Sequence, residues 1–252
     1  MNRELRLTRA FVDLADTLGA EYDALDLFTR LGEHCLGLLA VDAVGVVMSD
    51  ARGELRTMSS SAVDLGRLDL LQLQQDDGPS VDCFRSGEAV TADDLRIGTR
   101  WPEYTAGALA AGYVSVHVLP LRLDGGAIGA VALANRRSGV LPDADLVVAQ
   151  GMSDVTALTL THGPGEHARP YDLLTLLQAA LSAKAAVELA KGLLSEYADV
   201  SFAAALDLLA GHASRKRLPM TVVARALAER VLTPAEVLEG SPSEALRGPP
   251  GG

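Results

Sequence analysis

Tyr113 to Arg136 reads YVSVHVLPLRLDGGAIGAVALANR. Two apolar runs, 113–123 and 127–136, stand on either side of Asp124, Gly125 and Gly126. Runs rich in valine and leucine across a Gly-Gly turn predict an antiparallel β-hairpin. Working upstream, AVGVVMSD (43–50) and ELRTMSSS (54–61) read as two more strands around a turn at Asp50 to Gly53, and EAVTADDL (88–95) as a strand or bend. Between them lie a helix at LGRLDLLQLQQ (65–75), a loop and short helix at DDGPSVDCFRSG (76–87), and a helix at WPEYTAGALAAG that ends at Gly112. RELRLTRAFVDLADTL and DALDLFTRLGEHCLGLLA space their apolar residues as amphipathic helices, and DADLVVAQGMSDVTALTL (143–160) closes the unit as a last helix. Helices that flank strands joined by hairpins predict an α+β fold with an antiparallel sheet.

THGPGEHARP (161–170) interrupts the apolar sequence with two glycines and two prolines. Everything after it reads as helix. YDLLTLLQAALSAKAAVELAKGLLSEY is long and rich in Ala and Leu; Leu174, Leu177 and Leu181 have coiled-coil spacing, after which the stripe drifts to Val187, Ala190 and Leu194. Asp199 or Ser201 is placed to cap a second helix whose Phe202, Leu206 and Leu209 share a face. After the basic turn SRKR (214–217), Pro219 sits in the first turn of a third helix. Three such helices bury one small core and leave the basic turn exposed. The expected organisation is an α+β domain with its amino-terminal helix at 1–163, a linker at 164–170, an all-α three-helix domain at 171–235 and a disordered tail at 236–252.

The chain has 252 residues, 48% hydrophobic and 22% charged, which excludes disorder as its main state. No run approaches the ~20 uninterrupted apolar residues of a membrane helix, and charges run through the amino terminus where a signal peptide would be apolar. The expected location is the cytoplasm. Cys35 and Cys83 are too few for a disulfide framework or a four-thiolate zinc site, and both are expected to be reduced. A net charge of −11 argues against nonspecific polyanion binding by the whole molecule. The distribution is uneven, however: residues 1–169 carry 14 Arg, no Lys and 24 acids, while 170–235 carry 7 basic and 6 acidic residues. All three lysines, Lys184, Lys191 and Lys216, fall in the later part, so no phosphate-binding GK[ST] loop, Schiff-base lysine or receiver-domain lysine has a candidate in the first 183 residues.

The helical part carries V-E-x-A-K-G-x-L at Val187 to Leu194, with A-x-x-L-L downstream at Ala205 to Leu209, a basic turn and a Val/Ala-rich third helix. Over about residues 170–234 it resembles the ANTAR domain, a three-helix RNA-binding module of bacterial transcription antitermination regulators. It departs from that pattern at Ala210 and Gly211, where basic residues are common, at a shorter basic turn, and at Ser195 in place of an apolar residue. Residues 20–162 resemble the GAF sensor domains that accompany ANTAR in actinobacteria, on DDGPSVDCFRSG, RWPEY and the LPLRL…GAIGAVALAN hairpin; such partners often carry Cys where Ser80 stands. The stripe of Leu174, Leu177 and Leu181 predicts a parallel homodimer through that segment, with the amino-terminal helix as a further contact; the resemblance implies a GAF-ANTAR regulator that binds stem-loop RNA under the control of a small-molecule or protein signal. The alternative is an interaction protein whose RNA binding is weakened or lost.

RNA is recognised through its phosphates, its shape and its unpaired bases, so exposed cations on a helix plus a few stacking side chains suffice. The candidates are Lys184 and Lys191, seven residues apart on one helix face, and the turn cations Arg215, Lys216 and Arg217. Gly192 suggests a close approach by a helix or by RNA, and Tyr197 and His212 are candidates for stacking. The competing reading makes Lys191 a solvating residue and Arg215 to Arg217 a soluble helix end. In the first part, Cys83, Trp101, Tyr104 and His117 are the residues placed near a ligand pocket, because aromatic residues make up only 4% of the chain and Trp101 lies close to a Gly-Pro loop. Core packing of Trp101 and Tyr104, and a satisfied core histidine at 117, compete with that reading. No metal site is expected, since His34 and Cys35 adjoin on a helix and His162 and His167 lie in the linker. No nucleophile, base and oxyanion-donor arrangement is present either, so neither enzyme activity nor a cofactor is expected.

Overall fold

A computed structural model of the chain describes residues 2–16, 24–50, 52–161 and 170–239, with the side chains of 161 and 170–177 outside that description. It divides into two compact units, Met1–Gln178 and Ala179–Gly252. The expected linker up to residue 169, the tail from 240, and the side chains of Leu174 and Leu177 lie outside the described residues.

The first unit is built on a five-stranded antiparallel sheet: β1 (Ala43–Ser49), β2 (Leu55–Ser60), β3 (Val90–Ala92), β4 (Ser115–Leu123) and β5 (Gly126–Asn135), in the order β2-β1-β5-β4-β3. Asp50 organises the β1–β2 turn, its Oδ1 accepting from the backbone N–H of Arg52 (2.8 Å) and Glu54 (3.0 Å). The β4–β5 turn is one residue earlier than the sequence suggests. Leu123 pairs with Gly126, so Asp124 (φ 50°) and Gly125 (φ 82°) are the two turn residues. Two left-handed positions in succession are what a two-residue turn needs to match the twist of its strands.

Helices cover both faces. Helix α1 (Arg3–Ala15), α2 (Ala24–Leu38) and α6 (Asp143–Thr161) lie on one, and α3 (Val63–Gln75), α4 (Pro79–Ser86) and α5 (Pro102–Ala110) on the other. Because successive strand residues face opposite ways, Ala130, Ala132 and Ala134 of β5 turn toward α3, α4 and α5 with Val116 and Val118 of β4. Three alanines leave room on that face for large rings, and Trp101, Tyr104 and Tyr113 fill it.

The second unit is helical: α7 (Pro170–Ala198), α8 (Phe202–Lys216), α9 (Met220–Ala228) and α10 (Pro234–Leu238). From Ala180, helix α7 buries Ala183, Val187, Ala190 and Leu194 at alternating steps of three and four, the coiled-coil pattern. Leu181 is only half-buried. Ser201 caps α8, its side chain accepting from the N–H of Ala204, and Pro219 is the residue just before α9 rather than inside its first turn. Two further expectations are corrected. The SRKR segment is not a turn: Arg215 and Lys216 form the last turn of α8, and Arg217 (φ 55°) ends it. Disorder does not begin at 236, because a Thr233–Glu236 capping box starts α10 and its Val237 is fully buried. Among the described residues no helix is long and apolar enough to cross a membrane, and no group of three or more His, Cys, Asp or Glu side chains converges as a metal site.

Candidate functional site

Three of the four residues expected near a ligand pocket come together, but as core. Cys83, Trp101 and Tyr104 belong to one buried cluster with Leu65, Leu68 and the alanine face of β5. Pro102 opens α5, and Trp101 immediately before it adopts a left-handed backbone (φ 50°) that turns the indole inward. The indole N–H donates to Asp82 Oδ2 (2.8 Å), which also accepts from Arg100 Nη2 (2.5 Å), and the Arg100 guanidinium lies 4.4 Å over the ring. Cys83 is closed off entirely, and burial pushes its thiol up to about 12. Cys35 is raised to about 12 by the same cause. Neither thiol is therefore ionised near neutral pH.

His117 faces the other side of the sheet. Its Nε2 accepts from the N–H of Leu141 (3.3 Å), and its Nδ1 lies 3.3 Å from Thr91 Oγ1. Burial lowers its pKa, only partly opposed by the Gly139 carbonyl and the charge of Asp93. It is a neutral core histidine on the face away from Cys83, Trp101 and Tyr104.

Sequence reasoning missed the polar group inside this core. Asp69 and Gln72 on α3 are buried with Ser80 on α4. The Gln72 amide donates to Asp69 Oδ1 (3.0 Å) and Ser80 Oγ (3.1 Å), and its carbonyl accepts from the Ser80 N–H (2.9 Å). Tyr104 has its phenol raised by burial and then by the nearby Asp69 carboxylate. The signal was present in the spacing: Asp69 and Gln72 fall in phase with Leu65 and Leu68, on the buried stripe of α3. Beside this core, a groove of about 600 Å³ opens between β2, the end of α3 and α4, with Leu55, Thr57, Leu73, Val81, Phe84 and Arg85 on its walls.

In the helical unit the expected RNA-binding residues separate. Arg215, Lys216 and Arg217 are exposed together at the end of α8. Arg215 Nη2 donates to the Val237 carbonyl (3.1 Å), and His212, buried beneath, donates from Nδ1 to the same oxygen (3.3 Å). Docking of α10 thus removes His212 as a stacking residue. Glu236 beside it has a lowered pKa, chiefly through its bonds to Thr233, with His212 and Lys216 adding smaller effects. Lys191 lies on α7, paired with both oxygens of Glu188 at 3.0 and 2.9 Å. Lys184 is half-buried one heptad earlier, and Tyr197 is exposed at the end of α7. Among the described residues no neighbouring element places an atom within 4 Å of where a Cβ on Gly192 would stand.

No curated protein matches the chain. Solved structures similar to it include the GAF domain of a phosphoenolpyruvate-protein phosphotransferase from Acinetobacter (14% identity, covering 64% of this chain and 95% of that one, TM-score 0.48). Others are a GAF domain/HD domain protein from Geobacter sulfurreducens (17%, covering 56% and 93%, TM-score 0.45) and a free methionine-R-sulfoxide reductase from Neisseria meningitidis (14%, covering 72% and 91%, TM-score 0.46). The family model of the GAF domain matches residues 22–161, and that of the ANTAR domain matches 175–227. Both are regulatory rather than catalytic domains. The chain belongs to the GAF domain family and joins that sensor domain to an ANTAR domain, the make-up of a regulator with a sensor and an RNA-binding antitermination module.

Proposed function

We propose that the chain is a signal-responsive transcription antitermination regulator acting in the cytoplasm, in which the helical domain from 171 onward binds a stem-loop of nascent RNA and the sensor domain at 1–163 controls that binding. The observation that carries this reading is the cluster of Arg215, Lys216 and Arg217, exposed on one helix end of the ANTAR unit in a chain whose net charge is otherwise strongly negative. Clustered cations neutralise phosphates and position the protein on RNA without reading sequence. Lys184 extends the basic surface along α7, Lys191 is neutralised there by Glu188, and Tyr197 offers a ring to an unpaired base. By binding one RNA hairpin and not its competitor, the domain stabilises the antiterminator in proportion to its occupancy. The signal acts by binding one arrangement of the sensor domain more tightly than another, and the groove lined by Leu55, Leu73 and Phe84 is its entry point.

The active species is a homodimer. Leu5 and Val12 on α1, and Val147 and Leu158 on α6, are exposed on two helices that pack side by side. Seven- and eleven-residue spacings keep each pair on one helix face.

The test is binding of the purified chain to stem-loop RNA and to duplex DNA across a salt series. Affinity for RNA should fall with a log-log slope of about −0.7 per single-strand phosphate neutralised. Changing Arg215, Lys216 and Arg217 together to Ala should weaken binding to all hairpins and flatten the slope by about 0.7 for each cation that makes contact. Absence of any salt-sensitive preference for stem-loop RNA, with or without a signal, refutes the proposal.

A further inference from the structure

Apart from His212 and Thr221, the described core of the helical unit is aliphatic, and its Tyr197 and Phe202 are each 59% exposed. Aromatic rings are large apolar groups that ordinarily help build a core. Phe202 is on the helical phase of Ala205 and Leu209, both buried, yet it stays outside. The cause is its place as the first residue of α8: helical side chains lean toward the amino terminus, so a ring at the first position projects beyond the turns that pack.

The ring is not left alone. The Lys191 ammonium lies 5.9 Å from its centroid and is held by both oxygens of Glu188, so that only 17% of the Lys191 side chain is exposed. A tethered cation on one side of a ring fixes the ring's orientation and leaves the other side to a flat partner. We propose that Phe202, oriented by Lys191, is the platform on which an unpaired base of a bound RNA loop stacks. This rests on the RNA-binding reading given above. It adds a residue that the sequence had placed on the buried face.

The two ends of α8 then divide the work. At its last turn, Arg215 to Arg217 meet phosphates; at its first residue, about 20 Å away at 1.5 Å per residue, Phe202 meets a base. Stacking tolerates any base, because every base has a π-face, and it is strongest where the ring is already held in place. Lys191 and Glu188 are positioning residues, since neither supplies the stacking surface. A phosphate drawn to Lys191 would compete with Glu188, whereas a base on the free ring face leaves that pair intact.

The experiment uses the full chain and two probes that share one stem: a hairpin RNA pool with a randomised loop, and the same stem closed by an abasic loop. The wild-type chain should prefer the base-containing loops, and Phe202→Ala should weaken that binding by about tenfold while leaving abasic-loop affinity and the salt slope unchanged. Phe202→Tyr should restore it, and Lys191→Gln should give a partial loss confined to the base-containing probe. Far-ultraviolet dichroism and the melting midpoint of each variant report whether α8 is intact. If Phe202→Ala binds the base-containing loops as tightly as wild type, or loses affinity equally for both probes, the stacking role is overturned while the antitermination reading stands. A wild-type chain that binds neither hairpin overturns both, and leaves the exposed ring as a protein contact.

Discussion

Replacing Trp101 by Ala separates a core residue from a pocket-lining one. The indole is 5% exposed, packs in the cluster of Cys83 and Tyr104, and donates a hydrogen bond to Asp82. Covering about 200 Å² of ring at about 25 cal/mol/Å² gives an upper figure near 5 kcal/mol. Truncating a buried Trp to Ala ordinarily costs about 3–5 kcal/mol, so a loss of about 4 is expected for W101A. That is a large share of the ~5–15 kcal/mol stability of a typical domain. W101F keeps most of the buried area and loses the bond to Asp82, which retains Arg100 as a partner, so about 1–1.5 kcal/mol should be lost. W101G should be no worse than W101A, because glycine relieves the left-handed backbone at this position. Urea unfolding followed by far-ultraviolet dichroism ranks the three variants, and the emission of Trp101, the sole tryptophan, follows the sensor unit alone in the wild type. If W101A unfolds within about 0.5 kcal/mol of wild type, the ring is not holding this core and the assignment of Trp101 to packing fails.

Other outcomes follow from the same structure. Gly129 pairs with Met48 and Leu121, and a Cβ there would stand 2.3 Å from the Val47 carbonyl oxygen, so G129A should destabilise the sensor unit by about 3 kcal/mol in a urea titration. Burial holds the His117 pKa below the usual 6.5. The unfolded chain therefore takes up that proton first, and stability should decline as pH falls from about 6.5 toward the lowered folded value. H117Q should flatten this acid limb of the urea midpoint against pH; an unchanged limb would show that His117 is not its source. Val147→Glu with Leu158→Glu places charge on two exposed positions of α6 and should convert the proposed dimer to monomer in light scattering without lowering the melting midpoint of the sensor unit. A dimer that persists would locate the interface elsewhere, with α7 as the next segment to test. Neither Cys35 nor Cys83 should be alkylated by iodoacetamide in the native chain at neutral pH, since both are fully buried and both thiols are raised to about 12.

Local periodicity carried the architecture. The hairpin 113–136, the strands at 43–49 and 55–60 and the helices of both units follow from alternation or from 3.6-residue spacing, because each pattern repeats within a few residues and needs no distant partner to be seen. The resemblance to GAF and ANTAR domains rested on equally local strings, such as Val187 to Leu194. Even the Asp-Gly turn at 124–125 was written in the residues, and only its one-residue offset was misplaced, since register is settled by the strands that pair across it.

What only the tertiary structure decided is which side chains those elements leave available. Trp101 and Tyr104 stood out by composition, yet the alanine face of β5 admits them to the core, and that depends on residues about 30 positions away. His212 is withdrawn by α10, a helix of five residues that owes its place to the burial of Val237 and to two hydrogen bonds on one carbonyl. A chain reading that ended the domain at 235 had no means of placing that contact. Phe202 went the other way: its spacing matched the buried stripe, and its position at the first residue of α8 left it outside. Spacing along a chain assigns a residue to a face, whereas exposure depends on what other segments bring to that face and on where the element ends. The sequence alone therefore determined the two kinds of domain and their order, and the packing of distant segments decided which cations and rings remain exposed.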